Sequence, residues 1–219
     1  LTSLNELGSK VNSITLSDAA NNQSLTLDQW TAYKTIWDKV TGGLHVSLSQ
    51  VPTTLATPLL NDSRVSNVSV SDTTARIAAG LDALQALGTG VSGITASDTA
   101  TALQLSMTQY RRDAAALAKI NSDKNLSVSG ANINDLTTLS ADDEVTHIAI
   151  TDTSGNIAAA LAGLSANDTI DSITVSGNAA PFNLTMAQRT SYAATLGKFV
   201  GGYKLNITNA SISDAATLR

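Results

Sequence analysis

The residues in this chain that are able to do chemistry fall at regular corners. Asp18, Asp72, Asp98 and Asp152 each close a run of alternating apolar and hydroxylated residues, as in Val65-Ser66-Asn67-Val68-Ser69-Val70-Ser71-Asp72. If these runs are neighbouring strands about 4.8 Å apart, Asp72 and Asp98 end on adjacent ones, close enough to share a calcium ion or to raise one another's pKa. The competing role is local, since an aspartate leaving a strand for a helix makes an Asx turn or an N-cap. No Gly-Gly-x-Gly-x-Asp calcium loop occurs. Calcium is therefore a candidate without a motif, and no other cofactor is implied.

A second set of candidates is a field of hydroxyls. Thr15, Ser47, Ser69, Thr95, Ser127, Thr151, Thr174 and Thr208 occupy outward positions of the runs. On one parallel sheet they would form a regular array able to bind sugars or a protein, or simply to solvate an exposed face. The two histidines, His45 and His147, also read as outward-facing. Four strands apart, on the order of 19 Å, they are too distant to share a metal.

Thr26-x-x-Gln29, Ser106-x-x-Gln109 and Thr185-x-x-Gln188 fit the capping box, in which hydroxyl and amide satisfy each other's backbone N–H, so the repeated Gln is read as a cap rather than a ligand row. Trp30, Tyr33 and Trp37 share one helix face, either as core or as a lateral contact. There is no cysteine, no Gly-x-Ser-x-Gly, no phosphate-binding Gly loop and no His-Glu-x-x-His, and the sequence predicts no enzyme.

The elements that must position these residues recur. Val11 to Asp18 returns as Val91 to Asp98 and again as Ile170 to Gly177, a period of about 80 residues, as expected of stacked supersecondary units. Each period divides into three strand–helix units of roughly 27 residues, giving about eight rungs in all. In the first type, Ile77, Leu81, Leu84 and Leu87 keep helical spacing after the strand. Leu1, Leu4 and Leu7 align with the last three of these, placing the chain start inside a helix. The third type is short, opened by Pro52, Asn134 or Ser213, and Pro58 should end or kink its segment early.

Strands joined by helices pair in parallel with right-handed crossovers. The predicted fold is α/β: a right-handed solenoid of strand–helix repeats with one parallel sheet face and one helical face, a single elongated domain over residues 1–219 with both ends cut from a longer array. Ile14, Val68, Val70, Ile94, Ile148 and Ile150 are its expected core.

Composition narrows the classes of partner. Hydrophobic residues are 42% of the chain but aromatics only 4%, which suits thin layers of small apolar side chains. A net charge of −5 and a pI near 4.8 argue against nucleic acid, which demands a basic stripe. No run approaches the 18 or so apolar residues of a membrane span, and no export signal is visible. The Asn-x-Ser/Thr sequons, Asn67, Asn125 and Asn206 among them, arise by chance in so Asn- and Ser-rich a chain.

With the units laid out, Ile77-Ala78-Ala79-Gly80-Leu81-Asp82-Ala83-Leu84, Asp113-Ala114-Ala115-Ala116-Leu117 and the recurring Ser-Ile-Thr-Leu-Ser-Asp strand resemble the tandem repeats of large secreted bacterial surface proteins. These are often adhesin-like and often carry hemolysin-type calcium repeats elsewhere in the same chain. The resemblance covers essentially all of the chain. It implies type I export, a secreted or bacterial cell-surface location and partners such as other surface proteins, glycans or neighbouring copies. The expected function is a structural or adhesive repeat segment, the alternatives being a glycan- or host-protein-binding module and a self-assembling building block.

Overall fold

The computed structural model describes residues 10–16, 22–177 and 180–216. They fall into two compact units, Leu1–Leu103 with Gln109–Lys124, and Gln104–Thr108 with Asn125–Arg219. The leucines at the chain start, Ser17 and Asp18 lie outside the described residues.

In the first unit, β1 (Ile14–Thr15) pairs with β3 (Val40–Thr41), and a four-stranded sheet runs β2 (Gln23–Thr26), β4 (Val46–Val51), β5 (Val65–Asp72), β6 (Val91–Ala96). Every pair is parallel. Helices α1 (Leu27–Ala32) and α2 (Lys34–Trp37) connect β2 to β3, α3 (Ala56–Leu60) connects β4 to β5, and α4 (Thr74–Ala86) connects β5 to β6.

The second unit's sheet runs β7 (Leu103–Ser106), β8 (Leu126–Ala131), β9 (Val145–Thr153), β10 (Ile170–Ser176), and β11 (Phe182–Thr185) pairs with β12 (Leu205–Thr208). After β7 come α5 (Met107–Arg112) and α6 (Ala114–Leu117), whose residues from Gln109 on belong to the first unit. The later connections are α7 (Leu136–Leu139), α8 (Ser154–Ser165), and α9 (Met186–Ser191) with α10 (Ala193–Leu196). The two four-stranded sheets are copies. Gln23, Val46, Val65 and Val91 open the strands of one, and Leu103, Leu126, Val145 and Ile170 open those of the other.

The single continuous sheet expected from the repeat is not what forms. The described strands belong to four sheets, because the strand beginning at Val91 breaks after Ala96 and resumes only at Leu103. Beyond β6, one bridge continues the ladder, Ile94 with Ile120, and Ile173 with Phe199 repeats it. The two-residue pair of β1 and β3, at Ile14 and Val40, has the same place in the first repeat. The polar stretch Ser97-Asp98-Thr99 cannot bury against a helix, so the chain loops out there.

Inward side chains are fully withdrawn from water: Val46, Leu48, Val68, Val70 and Ile94 in one sheet, Leu126, Val128, Ile148, Ile150 and Ile173 in the other. Ile77, Leu81 and Leu84 of α4, and Ile157, Leu161 and Leu164 of α8, close over them. Each such side chain contributes about 1.5–3 kcal/mol by leaving water, so many thin contacts replace a few aromatic ones.

The capping boxes form at Thr26 with Gln29 and at Thr185 with Gln188. At the third copy, the Gln109 amide donates to the carbonyl of Ala78 at 3.2 Å. Pro58 does not end its helix. It is the third residue of α3, where the backbone N–H has no intrahelical acceptor to lose. In the second short unit the helical turn is opened by Asn132, whose side chain accepts from Asn134 N while Asp135 accepts from the Asn132 N–H.

One strained position repeats. Gln50, Gly130 and Asn209 all take left-handed φ values, +59°, +71° and +58°, the first two inside β4 and β8 and the third just after β12. In β4 and β8 the register shifts there, a bulge that the left-handed residue accommodates.

Candidate functional site

The strand-end aspartates are held by backbone. Asp72 Oδ2 accepts from Thr53 N at 3.0 Å, and its Oδ1 accepts from Thr73 N at 2.9 Å and from Arg76 Nη1 at 3.4 Å. Asp152 repeats the arrangement with Ile133 N at 2.9 Å, Thr153 N at 2.7 Å and Asn156 Nδ2 at 2.8 Å. Each carboxylate thus clamps a residue 19 positions earlier, in the turn that follows the preceding strand.

Both aspartates are buried. Burial works to raise their pKa, but these donors outweigh it and hold both carboxyls below the ordinary range. Asp98 lies beyond Ala96, the residue that pairs with Asp72, and it caps α4 instead. It accepts from Thr74 N at 2.6 Å and from Thr74 Oγ1 at 3.2 Å. Among the described residues no three histidines or carboxylates stand together as a metal site would require.

The hydroxyls do not line up in single rows, because bulges shift the register. Ser69 faces Gly93 while Thr95 faces Ser71. Ser47 lies between Ser24 and Asn67, Ser127 faces His147, and Thr151 faces Thr174. Thr15, Thr95, Thr151 and Thr208 are exposed, whereas Ser47, Ser69, Ser127 and Thr174 are half-buried. Several neighbouring hydroxyls are spent on the sheet itself. Ser49 donates to Leu25 O at 3.3 Å, Ser92 to Val68 O at 3.1 Å and Ser129 to Leu105 O at 3.1 Å, each 24 residues back.

His45 is exposed, and His147 Nδ1 lies 2.8 Å from Asp171 Oδ2 in an exposed pair. Trp30 and Trp37 are both buried and stack at 5.9 Å, with Trp37 Nε1 donating to Trp30 O at 3.1 Å and Arg64 5.0 Å over the Trp30 ring. They fill the core of the first unit.

Two features have no forerunner in the sequence reading. Asp113, fully buried, accepts from Arg112 Nε at 3.0 Å, and Arg112 also pairs with Asp82. Hydrogen bonding with Asp113, and then with Arg112, holds the Asp82 carboxyl below the usual range. The signal available was a carboxylate standing where the other repeats carry Tyr33 and Tyr192.

The other is an open recess of about 470 Å³ lined by Ser140, Asp142, Asp143, Asp168 and Thr169 among others. Asn167 Nδ2 donates to Ser140 Oγ at 2.8 Å beside it. At the equivalent place in the first repeat, Leu60 packs so closely on Gly90 that a Cβ there would sit 2.9 Å from Leu60 Cδ1. Comparison with family models, with curated proteins and with solved structures finds no match.

Proposed function

We propose that the chain is a structural and adhesive repeat segment of a secreted or bacterial cell-surface protein, its strand–helix turns wound as a right-handed solenoid that presents its faces to other surface proteins. The observation that carries this reading is the doubled sheet: the same parallel strand order and the same aspartate clamp recur one period apart. Repetition of a scaffold without repetition of a reactive group is what a load-bearing or contact-making array requires. Glycan binding through the hydroxyl face is the weaker alternative, because hydroxyls on that face donate to neighbouring carbonyls.

Small-angle scattering of the purified chain tests the winding. A compact globule of this length has a radius of gyration of about 17 Å, and the solenoid predicts a clearly larger value; a result near 17 Å sinks it. Adhesion is tested separately, by coating beads with the chain and counting attachment to bacterial surfaces. Attachment no better than with an albumin coat removes the adhesive half of the proposal.

A further inference from the structure

The corner that leads into β5 and the corner that leads into β9 are one loop with two different sets of side chains. Asp62 Oδ1 accepts from Arg64 N at 3.0 Å in the first repeat, and Asp142 Oδ1 accepts from Glu144 N at 3.0 Å in the second. In the first repeat the loop carries its own cation. Arg64 folds back onto Asp62, with Nε 2.9 Å from Oδ1 and Nη2 2.7 Å from Oδ2, and its Nη1 donates to Asp38 Oδ1 at 3.1 Å. What this corner holds is therefore a guanidinium, gripped as a fork by one carboxylate and steadied by a second.

In the second repeat the cation is gone and the space is open. Glu144 stands in place of Arg64, Asp143 in place of Ser63, and Asp168 in the stretch that is Gly88-Thr89 in the first repeat. Asp142, Asp143 and Asp168 line the recess of about 470 Å³, and Asp143 and Asp168 are exposed. The sequence offers no cation nearby to take the place of Arg64: after Lys124 the next basic residue is Arg189, and seven acidic ones lie between. Like charges gathered on a concave surface raise the local concentration of a positively charged group.

The rest of the recess suits a side chain that ends in that charge. Val145 and Ala166 give it an apolar wall, against which a methylene stem can lie. Its rim is fixed in advance, since Asn167 Nδ2 donates to Ser140 Oγ at 2.8 Å while its Oδ1 accepts from Thr169 N at 2.9 Å and Thr169 Oγ1 at 2.6 Å. A rim already ordered loses little freedom on binding.

We infer that this recess is a binding site for an arginine side chain of a partner polypeptide, its guanidinium seated among Asp142, Asp143 and Asp168 and its stem against Ala166. A lysine ammonium, a compact and strongly hydrated point charge, fits a fork-shaped set of oxygens less well. The site goes beyond the adhesive reading, and its test does not depend on that reading.

The test titrates the intact ¹⁵N-labelled chain, at low salt, with N-acetyl-arginine amide. Saturable shifts are expected in the amides of residues 140–146 and 166–169, with none from the uncharged citrulline analogue and weaker ones from the lysine analogue. Glu144→Arg, which restores the internal guanidinium of the first repeat, should remove the binding. Asp168→Asn, a change at an exposed residue, should weaken it about two- to fivefold, as expected for one exposed ion pair. The inference is overturned if citrulline or lysine does as well as arginine, or if the shifts centre elsewhere in the chain. It is equally overturned if a folded Glu144→Arg chain still binds; should that variant not fold, unchanged affinity in Asp168→Asn overturns it.

Discussion

The sheet of β2, β4, β5 and β6 and the sheet of β7, β8, β9 and β10 share a backbone plan but not a set of side chains, and the differences come at pairs of facing positions. Thr53 meets Gly80 in the first, where an added Cβ would lie 2.3 Å from Thr53 Cγ2; the second has Ile133 and Ala160 at those places. Leu60 with Gly90 gives way to Ser140 and Thr169, turning a filled contact into a polar recess. The clamps at Asp72 and Asp152 stay the same. Hydrogen-bonding hardware at the corners is therefore what defines the repeat, while the packing beside it varies, bulkier at one pair and opened into a recess at the other.

The comparison is tested hardest at the clamps. Asp72→Ala and Asp152→Ala should each lower stability by about 1–3 kcal/mol, the cost of stranding buried N–H groups, and by similar amounts. Denaturant unfolding with markedly unequal losses would break the equivalence of the two corners. Because both carboxyls titrate below their unfolded value near 3.8, their contribution is complete at neutral pH. It fades as pH falls through that value and down through the lowered folded one. Acid titration of the two alanine variants should accordingly be flatter than that of the parent.

The packing pairs come next. Gly80→Ala should cost about 1–3 kcal/mol by overpacking against Thr53, and adding Thr53→Ala should recover most of it. Ala160→Gly, the reverse change in the other repeat, should cost about 1 kcal/mol through helix propensity alone. A Gly80→Ala variant as stable as the parent would show that the close approach is not limiting. The smallest effect is at the bulge: Gln50→Gly should raise stability by up to about 1 kcal/mol and Gly130→Ala should lower it similarly. Both shifts can be read from melting temperature, and same-sign shifts would mean that the left-handed turn is not shared.

Much of this plan can be read directly from residue order. The alternation through Val65 to Asp72, the helical spacing of Ile77, Leu81 and Leu84, and the Thr26–Gln29 box all act within a few residues of themselves. Long-range consequences are hidden. Asp72 looks like a local turn residue, because nothing near it announces a partner 19 residues earlier. The hydroxyl positions read as straight rows because the extra residues Ser66, Ser92 and Thr146 leave no mark on alternation, yet shift which residues face each other after them. The short strands at Gln23, Leu103 and Phe182 merge into their loops by composition, and only their parallel partners reveal them. Buried Asp113 breaks the polarity pattern outright, and the Arg112 guanidinium and Asp82 carboxyl beside it make it tolerable.

The ladder interruptions at Ile94 with Ile120 and at Ile173 with Phe199 have a mechanical meaning. In the second unit the Ile173–Phe199 bridge is followed along the chain by the full pair of β11 with β12, four facing pairs long. Force reaching the single bridge is therefore shared with a longer ladder just behind it in sequence, and a crossing with little backbone pairing is not by that alone the place where the fold opens first.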